Sequence, residues 1–137
     1  MEALLQHTMT PTELQGISSV GLAHLGDAVY EIMVRSMLIT DGKTTAAHLH
    51  QDTIKLVCAP FQALAAEKIL AFLNETEIAI YRRGRNASLH NVPKNATHAQ
   101  YAKATGLEAL FGSLYLTGQT ERLQKLFAII MEDSDAT

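Results

Sequence analysis

Residues 24–31 read HLGDAVYE, His24-Leu25-Gly26-Asp27-Ala28-Val29-Tyr30-Glu31, and they sit inside a longer run of helical periodicity. Leu22, Leu25, Val29, Ile32 and Met33 share one apolar stripe, and Ala23, Tyr30, Val34 and Leu38 share a second. His24, Glu31 and Arg35 fall on the remaining polar face, the last two spaced as an i,i+4 ion pair. A helix with two apolar stripes must bury both, so it belongs among other helices. Asp27 falls in the second stripe among apolar neighbours. Gly26 beside it lowers helix propensity and lets another backbone come close.

Working outward, the punctuation stays helical. Thr10-Pro11-Thr12-Glu13 fits a capping box with Pro at the first helical position. Ser18 or Ser19 caps the second helix, which runs to about Ile39 and closes at Asp41-Gly42. Thr44 or Thr45 starts a third that reaches Val57, and Pro60 opens a fourth through Leu73. Asn74-Glu75-Thr76-Glu77 caps a fifth ending at Arg83-Gly84. Between Arg85 and Thr97 there is no period, and Pro93 predicts a loop. A sixth helix spans Thr97 to Leu116 and a seventh runs from Thr120 to about Met131. No strict alternation of β-branched residues interrupts this series, so the expected architecture is all-α, with about seven helices.

The 137 residues suit one domain, with a core at about 18–131 and a fraying tail at 132–137. No apolar run approaches the ~20 residues that a bilayer crossing requires, and the N-terminus does not resemble a secretory signal. The single Cys58 excludes an intrachain disulfide and points to a reducing cytoplasm. Net charge is −3, but it is unevenly spread. Segment 81–103 holds Arg82, Arg83, Arg85, Lys94 and Lys103 with no acid. All 14 Asp and Glu lie elsewhere, with only six of the 11 Lys and Arg. Clustered cations on an otherwise acidic chain suggest a localised polyanion site; a solvated loop balanced by an acidic face is the plainer alternative.

The sixth helix repeats the oddity of the second. Around Glu108 stand Tyr101, Ala104, Thr105, Phe111, Gly112 and Tyr115, with Leu107, Leu110 and Leu114 opposite. An ionised carboxylate in such surroundings costs several kcal/mol or shifts its pKa, so two of them require compensation. A salt bridge from elsewhere in the chain, a shared proton, a divalent cation, or hydrogen bonds to backbone or Tyr hydroxyl would each serve. Hard oxygen ligands suit Mg²⁺, with Mn²⁺ as a substitute, bridging one or two carboxylates to a phosphate. Together with the acid-free basic segment, this favours a metal and phosphate site.

LGDAVYE in the second helix, YRRGRNA followed by PKN in the basic segment, and TGLEALFGSLYL in the sixth helix resemble, in this order, the ribonuclease III catalytic domain. The likeness is to its short Mini-III branch and spans roughly Val20 to Met131. Ordinary members carry two further acids where this chain has Ala23 and Thr105, a loss the Mini-III branch shares. The resemblance implies an RNase III-like helical endonuclease domain, catalytic and metal-binding Asp27 and Glu108, and RNA contacts from Arg82, Arg83, Arg85, Asn86, Lys94 and Asn95. It implies a homodimer that cuts double-stranded RNA by Mg²⁺-activated water attack, leaving 5′-phosphate and 3′-hydroxyl ends. The substrate it implies is precursor to large-subunit (23S) ribosomal RNA, with a ribosomal protein as a further partner presenting the RNA. No double-stranded RNA-binding domain is expected after the seventh helix, so RNA affinity is expected within the catalytic domain. The competing reading is a non-catalytic RNA-binding ribosome-assembly module of the same fold. Retention of both acids argues against it.

His48 and His50 lie two residues apart on a predicted helix and point about 200° apart, so they do not suit one ion. Cys58, with no base beside it in sequence, reads as a packed thiol.

Overall fold

The computed structural model describes residues 5–42, 45–87 and 96–132. Among the described residues the regular elements are all helical: α1 (Pro11–Leu14), α2 (Ser19–Thr40), α3 (Ala46–Val57), α4 (Ala59–Ile69) with a 3-10 turn at Leu70–Phe72, α5 (Glu75–Ala87), α6 (His98–Leu116) and α7 (Thr120–Glu132). The starts follow local chemistry. Thr10, Ser18, Thr45 and Thr97 each accept a backbone N–H of the first turn, and Thr10 and Thr97 complete capping boxes with Glu13 and Gln100.

Helix α6 is the centre of the molecule. It has no polar face: Ala102, Ala104–Leu107 and Ala109–Leu114 are all buried, and it packs against α2, α4, α5 and α7. Tyr30, Val34, Ile69, Leu107, Leu110, Phe111 and Leu126 form the core between these helices. Two crossings bring helix backbones into direct contact. A Cβ on Gly26 of α2 would lie 1.6 Å from the Glu108 carbonyl oxygen, and one on Gly112 of α6 would lie 2.1 Å from that of Leu22. On the other flank, a Cβ on Gly84 of α5 would sit 2.7 Å from the Ala109 Cβ.

That second contact corrects the sequence reading. Helix α5 does not end at Arg83-Gly84; it continues to Ala87, because Gly84 faces α6 as a buried spacer and not as a C-cap. Arg85 and Asn86 therefore belong to the last turn of a helix and not to a loop. Ile32, expected in an apolar stripe, is exposed. The N-terminus of α5 is fastened by Glu77, which is buried, exchanges hydrogen bonds with Asn74 and takes two more from Arg122 of α7 at 2.8 Å each. No helix among the described residues is long and apolar enough to cross a membrane.

Candidate active site

Asp27 and Glu108 meet. Gly26 lies directly on the Glu108 backbone, so the next residue of α2 reaches over the Glu108 side chain, and the two carboxyl groups come within hydrogen-bonding range. Their exposures differ. Asp27 is exposed, contrary to the burial expected from its stripe, while Glu108 is half-buried. The wheel angle of Asp27 was read correctly but its depth was not, because α6 is in contact with the glycine and leaves Asp27 at the edge of the crossing.

Burial raises the Glu108 carboxyl to about 8; the Asp27 charge and a hydrogen bond that the protonated Glu108 carboxyl donates to Asp27 push the same way, and the Gln62 side chain opposes them. Asp27 and Gln62 are the groups that act on it, and neither is a cation. In the protein as it stands, the pair thus relieves its repulsion by keeping a proton on Glu108 near neutrality. Two oxygen-donor side chains in contact, one carrying a proton that a cation can displace, fit a hard divalent ion that completes its shell with water and phosphate oxygens. Among the described residues no cluster of three or more His, Cys, Asp or Glu is arranged for a metal.

Gln62 of α4 escaped the sequence reading. It is 1% exposed, and the signal was there: Gln62, Ala66 and Ile69 share one face at i, i+4 and i+7, so a polar residue occupies an apolar stripe, as Asp27 and Glu108 do. Tyr30 is also fully buried; its hydroxyl donates to the Leu56 carbonyl at 2.8 Å, and burial pushes its pKa well up.

The basic residues occupy the end of α5. Arg82, Arg83 and Asn86 are exposed, and Arg85 is half-buried with its guanidinium 5.9 Å from the centre of the Tyr81 ring. Gly84, between them, touches Ala109, the residue after Glu108. This close contact fixes the arginine turn against the helix that carries the acid. Lys94 and Asn95 lie outside the described residues. Lys103, counted in the positive segment, pairs with Glu67 of α4, so it contributes less free charge than the sequence total implied. His48 and His50 are exposed, Cys58 is half-buried, and Glu31 pairs with Arg35 as their spacing predicted.

A family model of the ribonuclease III domain matches residues 21–119. Curated proteins named Mini-ribonuclease 3 are similar over most of the chain. The one from Clostridium tetani is 38% identical, covering 93% of this chain and 85% of its own. The one from Symbiobacterium thermophilum is 46% identical over 77% and 81%, and that of a Thermoanaerobacter species 36% identical over 96% and 94%. A crystal structure of a Fusobacterium nucleatum protein is similar with a TM-score of 0.82 at 30% identity, covering 89% of this chain and 98% of that one.

Proposed function

This chain belongs to the ribonuclease III family, in its Mini-III branch, and from that premise we propose that it is an endoribonuclease that cleaves double-stranded RNA with Mg²⁺ held by Asp27 and Glu108. The observation that carries the reading is the contact between two acids 81 positions apart in the chain, Asp27 and Glu108, at a backbone-to-backbone helix crossing. When bound, the divalent ion supplies a water activated at neutral pH and neutralises charge developing at phosphorus. The chain's own part is to hold the ion and the RNA. Asp27 offers a solvent-facing carboxylate, and Glu108 gives up its proton to become the second. Arg82, Arg83, Arg85 and Lys94 bind phosphates, and Asn86 and Asn95 reach 2′-hydroxyls, in keeping with recognition of A-form duplexes by shape. The products of in-line attack by water on this course are 5′-phosphate and 3′-hydroxyl ends.

We assign precursor of 23S ribosomal RNA as substrate, a ribosomal protein as the partner that presents it, and the cytoplasm as compartment. A homodimer is supported by the outer stripe of α2, where Val20, His24, Ala28 and Ile32 recur every four residues and are exposed, Val20 to 62% and Ile32 to 63%. Such a stripe suits an isologous contact with a second copy.

Incubation with a long RNA duplex, with and without Mg²⁺, is the test. Asp27→Asn and Glu108→Gln should each lower cleavage by about 100-fold or more while remaining folded. Cutting by either variant at the parent rate would remove the catalytic assignment. Metal-dependent cutting of single strands in preference to duplex would remove the substrate.

A further inference from the structure

The three arginines of α5 are not equivalent. Arg83 and Arg85 are two positions apart, which turns them about 200° from each other around the helix. Arg83 lines a groove between α5 and α1 with Pro11, Leu14 and Gln15. Arg85 lies on the other flank, one turn after Tyr81, with its guanidinium carbon 5.9 Å from the centre of that ring. It is half-buried where Arg82 and Arg83 are exposed, and among the described residues it forms no ion pair. The ring itself has a firm seat. Tyr81 is 2% exposed, and a Cβ on Gly106 of α6 would come within 2.8 Å of both its Cδ1 and its Cε1. Only a glycine at 106 lets the ring lie so close to the main chain of α6. A guanidinium stacks through its face and grips a phosphate through its N–H edge, so the ring and a phosphate do not compete for it. An arginine already laid on a fixed ring also loses less side-chain freedom when it binds an anion than one that starts free in water.

We propose that Tyr81 is a positioning residue: its ring, seated on Gly106, holds the face of the Arg85 guanidinium and leaves the N–H edge preordered for an RNA phosphate. Arg85 is then the best-ordered anion ligand on α5, and Tyr81 acts through it without touching RNA. The inference rests on the reading of Arg85 as an RNA contact given above.

Binding of the full chain to an RNA duplex in Ca²⁺, followed by fluorescence anisotropy below the Tm of every variant, tests it through a double-mutant cycle of Tyr81→Leu and Arg85→Ala. Arg85→Ala should weaken binding roughly tenfold, and Tyr81→Leu about three- to tenfold. Tyr81→Phe keeps the ring and should stay within about twofold of the parent. In the Arg85→Ala background, Tyr81→Leu should add less than about twofold, because the group it positions is gone. An undiminished effect in that background is the mark of general damage to the core and overturns the proposal. So does a loss in Tyr81→Phe equal to that in Tyr81→Leu. If Arg85→Ala binds like the parent, the reading of Arg85 as an RNA contact falls; if Arg85→Ala weakens binding and Tyr81→Leu does not, only the role of Tyr81 falls. A second measurement is made on the parent itself. Side-chain ¹⁵N relaxation of the RNA-free protein should find the Arg85 Nε–H group more ordered than those of Arg82 and Arg83, and an Arg85 as mobile as they are refutes the inference.

Discussion

Replacing Gly26 by alanine tests whether the α2–α6 crossing sets both the stability and the site. The added Cβ would meet the Glu108 carbonyl oxygen at 1.6 Å, its carbon at 2.5 Å and the Gly112 nitrogen at 2.9 Å. All three are backbone atoms, so no side chain can swing aside. Bringing the first contact from 1.6 Å to the ordinary 3.4 Å requires the helices to part by about 1.8 Å. A radial gap of ~1 Å already forfeits up to half of the dispersion well of each contact, and overpacking alone costs ~1–3 kcal/mol. Alanine returns about 1 kcal/mol in helix propensity. With backbone against backbone, the net loss should be roughly 3–5 kcal/mol, a large part of the ~5–15 kcal/mol that holds a domain together. Tm should fall by roughly 10–20 °C.

Urea or thermal unfolding followed by circular dichroism gives the number, with Gly21→Ala as control. Gly21 lies in the same helix, gains the same propensity, and a Cβ there meets only the Ser18 hydroxyl at 3.2 Å and an Ile17 methyl at 3.5 Å. That variant should stay within about 1 kcal/mol of the parent. Below its Tm, Gly26→Ala should also cleave poorly, because parting the helices separates Asp27 from Glu108 by far more than the ~0.2 Å tolerance of ion coordination. A Gly26→Ala protein within 1 kcal/mol of the parent would refute the reasoning.

Three more outcomes follow from the same structure. Glu108, raised from 4.5 to about 8, binds more protons folded than unfolded between those values. Ion-free stability should therefore fall as pH rises through that window, then level off, by a few kcal/mol at most. The Tm–pH curve of Glu108→Gln should lack that decline, and parallel curves would contradict the raised pKa. Arg82→Ala and Arg83→Ala should each flatten the log–log dependence of duplex binding on salt by about one, measured in Ca²⁺, with an unchanged slope removing that arginine from the interface. Ile32→Asp places a charge in the middle of the α2 stripe. Light scattering at micromolar protein should then report a dimer for the parent and a monomer for the variant, whereas a dimeric variant would move the interface elsewhere.

The helices were legible because their starts are written locally, in Thr10, Ser18, Thr45 and Thr97, and their faces in a period that needs no tertiary information. What was misread depended on a second helix. Gly84 looks like a stop signal along the chain and becomes a spacer only when Ala109 stands opposite. Lys103 looks free until Glu67 of α4 arrives beside it. Asp27 and Glu108 stood out as acids at apolar positions, and their meeting agrees with that logic. Gln62 satisfied the same test on an alanine-rich helix and went unremarked because an uncharged amide carries a smaller desolvation cost than a carboxylate.

On the proposed reading two acids hold the ion, and the glycine contacts supply the frame that holds the acids. Side-chain packing tolerates shifts of an ångström by changing rotamers, whereas backbone against backbone does not. Gly26 and Gly112 press α2 onto the turn of α6 that bears Glu108, and Gly84 presses α5 onto the next residue. Glu108 is therefore located from one flank by main-chain contact and from the other by the close seat of Gly84 against the Ala109 Cβ. A site with fewer ligands needs a stiffer frame, since each missing ligand leaves the remaining ones to fix the ion's position. Helix α6, buried along nearly its whole length, supplies that frame by carrying the acid and both points of contact on one rigid element.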